Sequence, residues 1–364
     1  MHTNFNIQKV LIAPLDWGLG HATRCIPIIK ALLFNKFEVM VAAEGKQQLL
    51  LMAEFPNLKF LPLKGYAISY AKNKKLLPLK LLLQVPKILA AIKYEQAWLN
   101  RIVEQYAIDL VISDNRYGLH SHKVPCVFIT HQLTIKVPNK WLEKIIQKIN
   151  YQYINRFAAC WIPDVEGENN LAGILSHPLI KPLIPLHYIG LLSRFENQST
   201  PEKKYDCCML LSGPEPQRTL LEEKILKDIS TGNRKILLVR GKPESKETFS
   251  FQENIDIQNH LTGNELQTAI QQSTYVICRS GYTTVMELLS MQKKSIVVPT
   301  PGQTEQEYLG KRLMQQGWSY CIDQQNFDLI KALEAAKNFH YTLPSFQQQL
   351  LLTLIPQLIE KLKQ

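Results

Sequence analysis

The sequence predicts two doubly wound α/β domains, each a mostly parallel sheet with helices on both faces, and three observations carry this. The chain has 364 residues, about twice the usual length of one domain. Short continuous apolar runs ending in polar residues alternate with longer stretches of helical spacing, as expected for strands buried on both faces by crossover helices. This alternation occurs once in each half of the chain.

In the first half, KVLIAPL (9–15) reads as a buried strand, and RCIPIIKALLF (24–34) has apolar residues at helical spacing. FEVMVAA (37–43), DLVISD (109–114) and CVFIT (126–130) follow as strands. The second half repeats the arrangement: strand 206–213, helix 215–230, strand 235–241, helix near 264–272, strand 275–281, helix 282–291 and strand 295–299. The boundary falls in SHPLIKPLIPLHYIGLLSR (176–194), where Pro178, Pro182 and Pro185 stop any helix. The expected division is an N-terminal domain over 1–185 and a C-terminal domain over 190–345, with a last helix over 346–364 packing back on the first. Open α/β sheets bind ligands beyond the carboxyl ends of their strands, and two such domains in tandem are expected to face those ends across one cleft.

Composition narrows the class. At 46% hydrophobic and 20% charged residues, the chain is that of a folded globular protein. The seven cysteines (25, 126, 160, 207, 208, 278, 321) lack C-x-x-C spacing and read as reduced core residues, with neither disulfide nor zinc pairing. The N-terminus lacks signal-peptide order, and no apolar run reaches the ~18 residues of a membrane span. A cytoplasmic protein is therefore expected. Residues 1–190 carry 22 Lys/Arg against 12 Asp/Glu, whereas the remainder is nearly balanced, so an anionic partner is expected on the first half. Residues 64–93 hold seven lysines and no acid, interleaved with leucines. They suit a basic amphipathic surface on an anionic membrane, or an ordinary helix packing leucines inward with its lysines extended to water. Nucleic acid fits poorly, because no aromatic-interleaved basic motif or helix-turn-helix pattern occurs.

Three glycine turns carry the candidate chemistry. In VICRSGYTTVMELL (276–289), Gly281 permits a tight turn after Arg279 and Ser280, and the amides of 282–284 open a helix where a phosphate fits. Thr283 and Thr284 offer hydroxyl donors or a cap, and Glu287, one turn on, can accept from a ribose diol. The same residues also describe a plain turn, a capped helix and a solvated glutamate. In LLSGPEPQRTLLEEKIL (210–226), Ser212 and Gly213 form a second turn, with Pro216 suited to a first helical turn and Gln217 and Arg218 placed to reach a phosphate or to cap a surface helix.

In APLDWGLGHATR (13–24), Gly18 and Gly20 nearly spell a dinucleotide fingerprint, and Glu44 ends the second strand where a ribose-binding acid would sit. Against a nicotinamide cofactor, Thr23 occupies the third glycine position and His21 would crowd the pyrophosphate. A histidine at a helix N-terminus is held neutral by the helix dipole, so His21 is the candidate general base. Asp114, ending its strand, or Asp16 is placed to orient it, and either also suits a turn cap.

Taken together, R-S-G-x-x-T-x-x-E (279–287), a strand ending at Pro299, Gln306-Glu307-Tyr308 seven residues on, and the histidine-ended GLGHATR turn resemble the family-28 type of GT-B glycosyltransferases. The resemblance implies two Rossmann-like domains facing across a cleft. It implies Gly281 and Thr284 at a diphosphate, Glu287 on the ribose, Gln306 and Glu307 facing the transferred sugar, and Ser212 and Gly213 near the nucleotide. His131 matches the first residue of the family's H-E-x-N acceptor segment, with Gln132 and Thr134 replacing the acid and the Asn; Asp16, Gly18 and Gly20 fall on the same acceptor side. Gln306-Glu307 replaces two glutamines and Gly310-Lys311 replaces Asn-Ala, so the sugar stays open.

The expected reaction is inverting transfer from a UDP-sugar, such as UDP-N-acetylglucosamine, to a hydroxyl acceptor, lipid-linked in the family's best-known case, at the inner face of the cell membrane. Helix N-termini with Arg218 or Arg279 would stabilise the leaving diphosphate. No D-x-D triplet occurs, and neither metal nor cofactor is expected. A nucleotide-sugar 2-epimerase, a nicotinamide-dependent oxidoreductase and a non-enzymatic sugar-nucleotide or membrane-binding protein stay open as alternatives.

Overall fold

The computed structural model describes residues 7–66, 83–137, 139–195, 202–213, 215–229, 234–248, 253–346 and 350–363. They form two compact units, the described residues through Arg194 with 350–363 in one and Phe195–Phe346 in the other.

The first unit runs β1 (Lys9–Pro14), α1 (Leu19–Phe34), β2 (Glu38–Ala42), α2 (Gly45–Glu54), β3 (Lys59–Leu61), α3 (Val85–Tyr106), β4 (Leu110–Asp114), β5 (Cys126–Ile129), α4 (Lys140–Ile154), β6 (Ala159–Ile162) and β7 (Leu186–Tyr188). Its strands are parallel in the order β3-β2-β1-β4-β5-β6-β7. LVISD, CVFI and ACWI are buried at every residue, because helices cover both faces of the central strands. Pro14 pairs in register with Asp114, and Asp114 with Ile129. The loops after β1, β4 and β5 therefore leave the sheet at one edge, and the strand order reverses between β1 and β4, the switch point where open sheets bind ligands. Helix α1 starts at Leu19, five residues before the apolar spacing predicts, so His21 stands on its first turn.

The second unit contains β8 (Tyr205–Leu210), α5 (Gln217–Ile229), β9 (Ile236–Val239), β10 (Ile255–Gln258), α6 (Gly263–Gln272), β11 (Ser273–Cys278), α7 (Tyr282–Ser290), β12 (Ser295–Val297), α8 (Thr304–Gln315), β13 (Tyr320–Cys321) and α9 (Leu329–Asn338). Its sheet, β10-β9-β8-β11-β12-β13, is again all parallel, with the reversal between β8 and β11. Cys278 pairs with Leu210 on one side and Val297 on the other, which brings the Ser212-Gly213, Arg279-Gly281 and Pro299-Gly302 loops to a common edge.

The terminal helix α10 (Leu350–Lys361) lies in the first unit, where Asn35 Nδ2 donates to Leu352 O at 2.8 Å. Six of the seven cysteines are buried and none is in a disulfide; burial pushes the Cys207 and Cys278 thiols up to about 12, so they stay protonated at neutral pH. Of the lysine-rich stretch, residues 67–82 lie outside the described residues, and 85–93 form the start of α3. Among the described residues, no helix is long and apolar enough to cross a membrane.

Candidate active site

At the β1/β4 edge of the first unit, His21 Nδ1 lies 3.0 Å from Asp114 Oδ2. The imidazole is 15% exposed and the carboxylate fully buried. Arg24, one helical turn after His21, is buried beside them: its Nε donates to Asp114 Oδ2 at 2.9 Å, its Nη2 to Asp114 Oδ1, and its Nη1 reaches His131 Nδ1 at 3.1 Å. Burial lowers the His21 pKa below 6.5, Arg24 lowers it further, and Asp114 opposes both. Burial alone would raise the Asp114 pKa, but Arg24 and His21 hold it below the usual carboxylate value. His21 is thus a neutral imidazole at neutral pH, backed by an ionised carboxylate, and able to exchange a proton with a hydroxyl. Arg24 is a site residue that the sequence reading missed. Its signal was its i+3 spacing from His21 within an otherwise apolar helix face.

Asp16, the other carboxylate considered for orienting His21, accepts from Tyr66 N at 2.9 Å, and an added Cβ at Gly65 would collide with it. Glu44, expected on a ribose, accepts from Gly65 N at 3.0 Å. Both acids thus meet backbone amides of the segment after β3. Beneath them, Arg116 donates to Glu95 Oε1 at 2.7 Å and to the Pro14 and Lys64 carbonyls, while Tyr66 OH donates to Glu95 Oε2 at 2.8 Å. This buried pair ties the exits of β1 and β4 to the segment after β3. Gly18 takes φ 87° at the N-cap of α1, a left-handed conformation that favours glycine. Gly20 O accepts from Thr23 Oγ1 at 3.0 Å. His131 is buried against Arg24, Gln132 N donates to Thr130 Oγ1 at 3.0 Å, and the Thr134 hydroxyl is 3.5 Å from Gln147 Nε2.

In the second unit, Gly281 is the N-cap of α7 and has φ −69°, ψ 132°, which any residue can adopt. An added Cβ would meet nothing within 4 Å among the described residues. The expectation that glycine serves the bend is therefore corrected: its absent side chain instead leaves space in front of the α7 amides. Helices α6 and α9 are capped by Thr262 and Asp328, whereas the N-cap of α7 is Gly281, which has no side chain to serve as a cap. Glu287 is 6% exposed on the second turn of α7, and Thr283 and Thr284 are half-buried on its first. Gly213, exposed beside Ser212, has φ 101° and so does require glycine. Thr300, buried at the same edge and not singled out from the sequence, has a hydroxyl with no hydrogen-bond partner among the described residues.

The two arginines expected at a leaving diphosphate both donate to protein acceptors. Arg279 donates to Val298 O at 3.1 Å and Gln217 O at 2.6 Å, joining the loop after β12 to the start of α5, and burial lowers its pKa to about 10. Arg218 donates to Glu215 Oε1 at 2.6 Å and Glu222 Oε2 at 2.9 Å, and Arg240 shares Glu222. Buried guanidiniums need such partners, and a turn arginine reads the same in sequence whether its acceptor is a carbonyl or a phosphate. Gln217, whose carbonyl Arg279 uses, receives Gln324 Nε2 on its own side-chain oxygen at 3.3 Å.

Ser280 Oγ donates to Gln306 O at 2.8 Å; Gln306 Oε1 accepts from Thr300 N at 3.0 Å, and Glu307 Oε1 from Gly302 N at 2.8 Å. Gln306 and Glu307 thus shape the 300–303 loop through their side chains. Gly310 packs where an added Cβ would lie 2.7 Å from Cys321 Sγ and Pro299 Cγ, which explains a glycine at that departure from the family pattern. No group of His, Cys, Asp or Glu suited to a metal ion occurs among the described residues.

Residues 215–345 match the glycosyltransferase family 28 C-terminal domain, and residues 9–166 match glycosyl transferase family 1. The chain is 23% identical over 348 residues, covering 90% of it and 89% of the relative, to the UDP-N-acetylglucosamine–N-acetylmuramyl-(pentapeptide) pyrophosphoryl-undecaprenol N-acetylglucosamine transferase of Glaesserella parasuis serovar 5 (strain SH0165). Among solved structures it is similar to the spinosyn forosaminyltransferase SpnP, with TM-score 0.61 and 14% identity over 98% of this chain and 100% of that one. It is also similar to the Streptomyces sp. SF2575 glycosyltransferase SsfS6 complexed with thymidine diphosphate, with TM-score 0.57 and 14% identity over 96% and 99%. These matches are to transferases and favour transfer over 2-epimerisation. On the matched models, the relative and the shared fold, the chain is a family-28-like glycosyltransferase of the GT-B class.

Proposed function

We propose that the protein transfers a sugar from a UDP-sugar to an acceptor hydroxyl with inversion, His21 acting as general base. The observation that carries this reading is the 3.0 Å contact between His21 and the buried Asp114 at the switch point of the first sheet. His21 Nε2 takes the acceptor O–H proton as that oxygen bonds to the anomeric carbon. The bond from that carbon to the diphosphate oxygen breaks, and its electron pair leaves with UDP. In the second unit, the α7 N-terminus beside Gly281 suits the diphosphate, with Thr284 as a further donor and Glu287 accepting from the ribose. Partial positive charge at helix N-termini would stabilise the leaving group without a metal. UDP and N-acetylglucosamine are supported by the relative's name, and a nucleoside diphosphate by the ligand of SsfS6. The acceptor named for that relative is lipid-linked, which makes a lipid-linked hydroxyl the first to try.

The test is UDP release from UDP-N-acetylglucosamine, UDP-glucose and UDP-galactose, each with and without a lipid-linked muramyl-pentapeptide acceptor. Acceptor-dependent release of UDP supports the reading. Acceptor-independent release accompanied by a 2-epimerised sugar contradicts it.

A further inference from the structure

We propose that Arg24 is a positioning residue of this site: its guanidinium fixes Asp114 and thereby presents His21 with the proton on Nδ1 and a bare Nε2. The inference rests on the reading of His21 as the base. It matters because an imidazole with its proton on Nε2 would be a donor toward the acceptor hydroxyl and could take no proton from it.

His21 Nδ1 has two neighbours of opposite character, Asp114 Oδ2 at 3.0 Å, which accepts only, and Arg24 Nη2 at 2.9 Å, which donates only. Arg24 Nη2 has two hydrogens. One goes to Asp114 Oδ1, completing a fork with Nε on Oδ2. Asn115 decides the other. Its amide nitrogen belongs on the side of Thr130 Oγ1 at 2.9 Å and Ile129 O at 3.3 Å, which turns its side-chain oxygen to accept from Arg24 Nη2 at 3.1 Å. With both hydrogens used, His21 Nδ1 is left to donate to Asp114 Oδ2. Arg24 Nη1 meets His131 Nδ1 at 3.1 Å, where the ring nitrogen accepts, so the guanidinium orders both histidines.

The groups facing His21 are Arg24 on α1, Asp114 ending β4 and His131 after β5; Cys25 Sγ lies 3.9 Å from Asp114 Oδ2, and burial keeps that thiol protonated. Arg24 is 2% exposed and Asp114 fully buried, so their opposite charges are poorly screened. Without Arg24, the unopposed carboxylate would draw a second proton onto His21, and an imidazolium is no base.

The experiment uses the full chain with 13C,15N-labelled histidine, the His21 signal being identified by its loss in His21→Gln. Wild-type His21 is expected as the Nδ1–H tautomer, titrating below 6.5. Arg24→Met should move that titration to higher pH, whereas Arg24→Lys, which keeps the charge but loses the fork, should stay nearer wild type. An Nε2–H tautomer in the wild type, or a wild-type midpoint in Arg24→Met, overturns the proposal. A purely packing role would lower Tm and leave both readouts unmoved. Should Arg24→Met fail to fold, Asp114→Asn is compared with Asp114→Asn/Arg24→Met, in which no carboxylate is stranded. The double variant should titrate higher, and equal midpoints overturn the proposal. All these readings are taken on the free protein, so absence of turnover with UDP-sugars would sink the functional reading without altering them.

Discussion

Gly281→Ala separates folding from binding more sharply than any other single change at the α7 turn. The residue sits at φ −69°, ψ 132°, and an added Cβ meets nothing within 4 Å among the described residues, so the alanine is strain-free in the folded state. Restricting the unfolded chain should even stabilise the protein by about 0.4–1 kcal/mol, which in a unit of this size raises Tm by roughly 1–4 °C. The new methyl, however, occupies the space in front of the α7 amides where the diphosphate is proposed to lie. Loss of one hydrogen bond to a charged phosphate costs about 1.5–3 kcal/mol, or roughly 10- to 150-fold in Kd. Calorimetric titration with UDP and a thermal melt read the two effects on one sample. Unchanged UDP affinity would refute the placement of the diphosphate, and a Tm lowered by several degrees would refute the claim that the turn does not need glycine. At Gly213, where φ is 101°, alanine should instead destabilise the fold.

Three further outcomes are expected. Glu287→Ala should weaken UDP binding about tenfold or more by removing a charged acceptor for the ribose diol, and an unchanged calorimetric Kd would reject that role. Asp114→Asn strands the buried Arg24 guanidinium, so the melt of the first unit should fall by about 3–5 kcal/mol, or roughly 6–20 °C; an unaltered Tm would mean that the pair is not buried as described. Because His21 must be unprotonated to act and its pKa lies below 6.5, kcat/KM should hold at neutral pH and fall on the acid side with a midpoint below 6.5. A midpoint above 6.5 would contradict the environment described for the imidazole.

The central strands were legible because helices bury both of their faces, leaving runs such as LVISD and CVFI almost wholly apolar. The edge strands were not: KFL, LHY and the two-residue YC are too short and too exposed to show a period. His21 and Asp114 could be named from sequence because each lies at the end of a recognisable element on the same sheet edge. The partner of a polar group was harder to read. Asp16 and Glu44 serve backbone amides after β3, and Arg279 serves carbonyls after β12, contacts between segments far apart in sequence. Arg24 was overlooked for the converse reason: a cation within an apolar helix reads as a solvated residue until Asp114 is seen beneath it.

The most direct test of the account compares wild type and His21→Ala in acceptor-dependent UDP release, with UDP affinity measured on both proteins. Turnover should fall about 10²- to 10⁴-fold while the Kd for UDP stays within error of wild type. Retained turnover in His21→Ala would contradict it.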